Sequence, residues 1–435
     1  MTSARSNAAP ASSNSLALLR HPGTIRARCH AVLDAVLDER SAWFRVERTR
    51  LLDAAERVAA LTRRRFPELR VPPHSRWRHF EAGGIDRKAE FDALLAGRSV
   101  AEATRARFDL TVVSVLLDAG AGPAWGYTDV DGQRYTRSEG LGVASLRAFM
   151  AGRFSATEGD PLRADASVLA ALDARTLSTI FQVGADNPMV GLEGRASLLA
   201  RLGRSLVTTS AKASGPVGLD GLEGPPRPGQ LFDRLGAGAS SRVSAAQVLA
   251  QVLALTDGIF TQGTPTMGRS VGDVWAHRFA GAAVAGGGID AVTIGVVPFH
   301  KLSQWLSYSL FEPLAEAGIT VDDGHDGNEG LTGLPEYRNG GLLLDAGVIV
   351  PRDARLAERR FKPGDEAIVE WRALTVALLD ELAALVRTRL DRSAALLPLA
   401  SILEGGTWAA GREIALERRT GGGPPLQIES DGTVF

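Results

Sequence analysis

From Glu366 to Leu390 the sequence carries one apolar side at helical spacing: Ile368, Trp371, Thr375, Leu378, Leu382 and Leu385. Such a series is buried together only if the backbone turns every 3.6 residues, so this stretch is the longest helix candidate. Shorter stripes of the same period run through Ile25, Cys29, Val32 and Val36, and through Leu51, Ala55, Val58 and Thr62. Ser99-Val-Ala-Glu102 matches a capping box opening a helix to about Asp118. Asp160-Pro161 opens another, running through Leu169, Leu172 and Ile180. Strand signals are few. Trp125 to Tyr135 reads as a hairpin around Asp131-Gly132, and short strands are expected near Val292–Val297 and Leu342–Leu344. The pattern predicts a mainly α, multi-helix globular fold with a few short strands and one hairpin.

The 435 residues exceed one ordinary compact core. Met1 to Ser15 reads as a disordered tail. Residues 16–435 read as one large domain, with two lobes if the Pro/Gly-rich stretch Ser214–Gly229 is a connection. A net charge of −1 gives no global field for nucleic acid or an anionic membrane, so any phosphate recognition has to be local. No apolar run approaches the roughly 18 residues that span a bilayer. The single cysteine, Cys29, excludes intrachain disulfides and multi-cysteine metal sites and suits a cytoplasmic location.

The chemistry-bearing residues concentrate between Pro298 and Gly347. Among 49 basic residues only Lys88, Lys212, Lys301 and Lys362 are lysines, so Lys301 is a compact ammonium in an arginine-rich chain. Pro298 suits a first helical position. Leu302, Leu306 and Leu310 form an apolar stripe, with Lys301, Gln304, Trp305, Tyr308 and Glu312 opposite, either solvated or facing a cleft. Pro313 is expected to end or kink that helix. Glu336-Tyr337-Arg338-Asn339-Gly340-Gly341 then offers a carboxylate and a guanidinium, as a pocket edge or as a structural Glu336–Arg338 ion pair.

Other segments are less specific. His74, Arg76, Trp77, Arg78, His79 and Glu81 crowd together, but the histidine and glutamate spacing fits no standard metal-ligand pair. Packing around Trp77, or a contribution of Arg76 and His79 to a substrate pocket, is expected instead. Asn187 to Arg195 is a turn leading into a helix, where either the free N–H groups of the helix start and Arg195 hold an anion or Arg195 pairs with Glu193 on the surface. Asp322–Gly330 fails the calcium-loop pattern and reads as a solvated turn. Gly268-Arg-Ser270-Val-Gly272 fits G-x-S-x-G, but what precedes it is a poor strand.

Asn187-Pro-Met-Val-Gly-Leu-Glu-Gly-Arg195, Pro298-Phe-His-Lys-Leu-Ser-Gln-Trp-Leu306, Leu334-Pro-Glu-Tyr-Arg-Asn-Gly-Gly-Leu-Leu343 and Ser430-Asp-Gly-Thr-Val-Phe435 together resemble the uracil-catabolism Urc/Urg family. The resemblance covers nearly the whole chain after Ser15. It implies a role in uracil degradation through a nucleotide, ring opening and a ribosylurea-type intermediate that yields urea. Lys301-Leu-Ser-Gln304 and Glu336-Tyr337-Arg338 more distantly resemble the queuosine-salvage N-glycosidases, whose folds are similar to helical DNA glycosylases. That resemblance implies Lys301 as phosphate ligand and Glu336 as catalytic carboxylate, although Glu stands where that family has Asp.

The resulting expectation is a cytoplasmic N-ribosidic hydrolase acting on a phosphorylated ribosylurea-like small molecule. Glu336 would stand at C1′, Lys301 with Arg338 or Arg195 at the phosphate, and Trp305 and Tyr308 along the ribose or urea. Gln304, Tyr337, Asn339, Glu193, Arg76 and His79 complete the candidate binding set. No cofactor or metal is implied, nucleic acid and membranes are not expected partners, and other uracil-catabolism enzymes are possible ones. The alternatives are an amide or ring hydrolase of the same route and a non-catalytic nucleotide-binding or scaffold protein.

Overall fold

The helix expected from Glu366 to Leu390 has those bounds, and Asp391 ends it in the left-handed conformation at φ 52°. In this computed structural model residues 9–118, 120–211, 224–236, 240–324 and 330–429 are described. The fold is mainly α, with five two-stranded pairings among the described residues. Among those residues no helix is long and apolar enough to cross a membrane.

The chain forms two interleaved units. The first comprises residues 1–72, 261–301 and 323–429, and the second residues 73–260, 302–322 and 430–435. The boundaries do not fall at the Pro/Gly-rich stretch. Residues 212–223 lie outside the described residues, and 224–229 sit within the second unit.

In the first unit Glu366–Leu390 is buried along most of its length, and the Pro22–Leu37 and Leu51–Arg65 helices pack on it. Tyr337–Asp345 lies against Trp408–Arg418, and backbone proximity fixes this crossing. A Cβ on Gly411 would stand 2.1 Å from the Arg338 carbonyl oxygen, and one on Gly340 would stand 2.8 Å from Trp371 Cε2. Phe44–Val46 pairs antiparallel with Ile349–Pro351, and Val274–Ala276 with Val296–Pro298.

In the second unit Val100–Leu116, Arg137–Met150 and Leu192–Ala211 are the long helices, with most of Lys301–Glu316 among them. The expected hairpin is present: Gly126–Thr128 pairs antiparallel with Arg134–Thr136, and Gly132 has φ 80°.

Several local expectations differ. Helix Ala9–Leu19 covers part of the stretch read as a tail, while residues 1–8 are outside the described set. Only half of the Ser99 capping box forms: Ser99 Oγ accepts from Glu102 N at 3.2 Å, but the Glu102 carboxylate goes to Arg105 and Arg227. The helix expected from Asp160 is two short ones, Ala166–Ala171 and Ala174–Ile180. Leu342–Leu344 is helical rather than extended, and in Val292–Val297 only the end is strand. Short apolar runs do not separate the two periods.

Pro298 ends a strand, and the helix begins at Lys301. Pro313 neither ends nor interrupts it, since the helix continues to Glu316. A proline leaves the carbonyl four residues back without its amide partner. Here that carbonyl, Ser309 O, accepts from Trp77 Nε1 at 3.0 Å. The division into an apolar and a cleft side does not hold either. Gln304, Trp305 and Tyr308 are buried like the leucines, and Lys301 is partly exposed.

Candidate functional site

Two helix starts meet in the first unit, and Arg372 ties them together. Both terminal nitrogens of Arg372 bond Asp273, each at 2.7 Å, and its Nε donates to Pro335 O at 3.4 Å. Its guanidinium carbon lies 4.1 Å from the Phe299 ring centroid. Asp273 Oδ2 in turn accepts from Lys301 N at 3.0 Å and so caps the helix that Lys301 opens. Burial alone would push the Asp273 carboxyl up. Arg372, the Lys301 amide and the Trp275 indole more than offset this and hold it at about 2. One buried fork therefore anchors the segment before Lys301 and the residue before Glu336.

Glu336 is the N-cap of the Tyr337–Asp345 helix. Its two carboxylate oxygens accept from Arg338 N at 2.6 Å and Asn339 N at 2.7 Å. The expected ion pair is thus replaced by capping: Glu336 takes the backbone N–H of Arg338, not its guanidinium. Partial burial pushes the Glu336 carboxyl above its ordinary range. The two amides and the positive charges of Lys301 and Arg338 pull the other way without cancelling the rise.

The next two side chains carry unmet hydrogen-bonding capacity. Arg338 is buried between the rings of Tyr337 and Trp408, at 4.9 and 5.2 Å, and its Nη1 has no hydrogen-bond partner among the described residues. Asn339 donates through Nδ2 to Leu334 O at 3.1 Å, while its Oδ1 has no partner there. A buried donor and a buried acceptor on consecutive residues beside a carboxylate can engage a polyhydroxylated or phosphorylated ligand.

The structure divides the sequence-derived candidates between the two units. Lys301, Glu336, Tyr337, Arg338 and Asn339 belong to the first. Gln304, Trp305, Tyr308, Arg76, His79, Glu193 and Arg195 belong to the second, and the chain crosses between them after Lys301. Arg195 is fully buried. It donates through Nε to Leu117 O at 2.9 Å and through Nη1 to Val190 O, and burial holds its guanidinium down at about 10. Those two carbonyls brace it inside the fold, so it does not stand at the surface as the expected pair with Glu193 required. Glu193 is exposed in the first turn of Leu192–Ala211.

Arg76, His79 and Trp305 do come together. Arg76 donates to Ser114 Oγ at 2.6 Å, and to Asp118 Oδ1 and His79 Nδ1 at 3.0 Å each. Its guanidinium carbon lies 5.6 Å from the Trp305 ring centroid. Burial, then the Arg76 charge, lowers the His79 pKa to about 4. Trp77 is buried against Phe80 and Phe91, as its packing role required.

Arg372 and Asp273 were not singled out from the sequence. An arginine on a helix and an aspartate in a loop, ninety-nine positions apart, leave no local signal. His300 was quoted but given no role. Its backbone has φ 46°, and burial, with the charges of Arg20 and Arg372, lowers its pKa to about 4. Ser270 donates to Gln262 O at 3.1 Å in a loop followed by a strand, so no nucleophile elbow forms.

Residues 18–435 match the family described as "Protein of unknown function (DUF1688)". Protein urg3 of Schizosaccharomyces pombe is 36% identical over 422 residues, covering 94% of this chain and 96% of that protein. Uracil catabolism protein 4 of Lachancea kluyveri is 36% identical over 454 residues, covering 97% of this chain and 99% of that protein. Identity of this extent over almost the whole of both chains leaves one conclusion: the chain belongs to the DUF1688 family, the Urc/Urg family of its sequence motifs.

Proposed function

We propose that this protein acts in uracil catabolism as a hydrolase of the N-ribosidic bond in a phosphorylated ribosylurea-type intermediate. The name of the Lachancea kluyveri relative supports the pathway. The observation that carries the reaction is Glu336: a carboxylate of raised pKa, near the positive charge of Lys301, followed by Arg338 Nη1 and Asn339 Oδ1, which have no partner among the described residues.

In this reading Lys301 takes the phosphate, with Arg338 Nη1 as a second donor. Glu336 faces C1′, where positive charge grows as the C1′–N bond breaks. Water adds its oxygen to C1′. The bonding pair leaves with the urea nitrogen, which gains a proton, and the products are ribose 5-phosphate and urea. The hydrogen bonds donated by the Arg338 and Asn339 backbone N–H groups fix the Glu336 oxygens, so little reorganisation is needed during the reaction.

The test is product identity. Purified protein given ribosylurea 5′-phosphate is expected to release urea and ribose 5-phosphate in equal amounts. A carbamate or a free acid as product would transfer the protein to the amide hydrolases, and saturable binding without any product would make it a binding protein.

A further inference from the structure

In the second unit two buried side chains that lie close together each carry a hydrogen-bond donor with no partner among the described residues. Arg76 is fully buried, and four acceptors take its Nε and Nη1: Ser114 Oγ, His79 Nδ1, Asp118 Oδ1 and Ser138 O. Its Nη2 has no partner among the described residues, and neither does Nε1 of Trp305, which is 5% exposed. The Arg76 guanidinium carbon is 5.6 Å from the Trp305 ring centroid, and the His79 ring centroid is 5.8 Å from it. Leaving two such donors unmet in a folded interior is costly, so an acceptor is expected to complete them.

The charges select the kind of acceptor. Asp118 and Glu139 both act on Arg76, so one guanidinium already faces two carboxylates. His79 is neutral at physiological pH, because burial and Arg76 lower its pKa to about 4. Since its Nδ1 accepts from Arg76, the neutral ring carries its proton on Nε2. Two carboxylates already act on the one guanidinium, which disfavours a phosphate beside it. The cluster has donors, and a flat indole and imidazole for a flat molecule to lie against.

We propose that Arg76 and Trp305 form a binding site for a neutral planar ligand whose carbonyl is conjugated to nitrogen, the class of ureas, amides and pyrimidinediones. The carbonyl oxygen accepts from Arg76 Nη2 and Trp305 Nε1. This extends the uracil-catabolism reading, which supplies only the choice of probe, and does not depend on Glu336 chemistry.

The experiment titrates uracil into the full-length native protein and follows the assigned Trp305 indole N–H by NMR. Inorganic phosphate is the control. Uracil is expected to shift that signal saturably and phosphate to leave it unmoved. Trp305→Phe, which keeps a ring but removes the donor, should weaken uracil binding by calorimetry about tenfold. If that variant does not fold, the indole titration decides alone. An unmoved indole at saturating uracil, meaning a buried water alone completes the donors, would overturn the proposal. So would a shift caused by phosphate, or equal uracil affinity in a folded Trp305→Phe protein. Failure here leaves urea release intact as the test of the hydrolase reading.

Discussion

Arg372 grips Asp273 with both terminal nitrogens at 2.7 Å, and this buried fork holds together the starts of the two helices that carry Lys301 and Glu336. Removing one partner of a buried pair leaves the other charge uncompensated. Asp273→Asn is therefore expected to lower stability by about 3–5 kcal/mol, read as a large drop in Tm. Arg45→Ala breaks an exposed pair with Glu47 and should leave Tm almost unchanged. Equal effects from the two variants would refute the anchoring role.

Gly340 and Gly341 are adjacent in one helix but differ in surroundings. A Cβ at 340 would meet Trp371 Cε2 at 2.8 Å and Thr375 Oγ1 at 2.9 Å, whereas at 341 the nearest atom is Pro425 Cδ at 3.4 Å. Gly340→Ala should destabilise by about 1–3 kcal/mol through overpacking. Gly341→Ala should be neutral, or gain up to about 1 kcal/mol of helix propensity. Denaturant midpoints of both proteins check the order.

His79 makes stability depend on pH in a definite direction. Its folded pKa, about 4, is depressed below the ordinary 6.5, so the unfolded chain binds a proton first. The stabilisation is complete above about pH 6.5 and is lost as pH falls toward 4, at most about 3 kcal/mol for a shift of this size. His79→Gln should reduce the difference in unfolding free energy between pH 7 and pH 5. An unchanged difference would mean that His79 is not held neutral.

Lys301→Ala tests the phosphate assignment. The side chain is partly exposed at a helix start and is among the charges acting on Glu336. Charge-assisted bonds contribute roughly 1.5–3 kcal/mol, so affinity for a ribose 5-phosphate ligand should fall about tenfold or more while the unphosphorylated nucleoside is little affected. Equal losses by calorimetry would remove Lys301 from that role.

The parts of the fold visible in the sequence were those with local, repeated signals. Glu366–Leu390 and the Asp131-Gly132 hairpin could be read directly, because periodicity and turn chemistry act within a few residues. Pro313 misled, since whether a proline breaks a helix depends on a distant partner, here Trp77. Lys301 and Glu336 could be named as candidates from residue type and motif. Their common anchor could not, because Asp273 and Arg372 meet only through tertiary packing. The capping role of Glu336 was hidden because Leu342–Leu344 read as a strand, which left no helix for it to cap.

The most direct test of the account is urea release by the Glu336→Gln protein from ribosylurea 5′-phosphate, measured beside the native protein. Glutamine keeps one capping oxygen, so the fold and substrate binding should persist. Transition-state stabilisation at C1′ should be lost, lowering kcat at least about a hundredfold with KM nearly unchanged. A folded Glu336→Gln protein that releases urea at the native rate would contradict the catalytic assignment of Glu336.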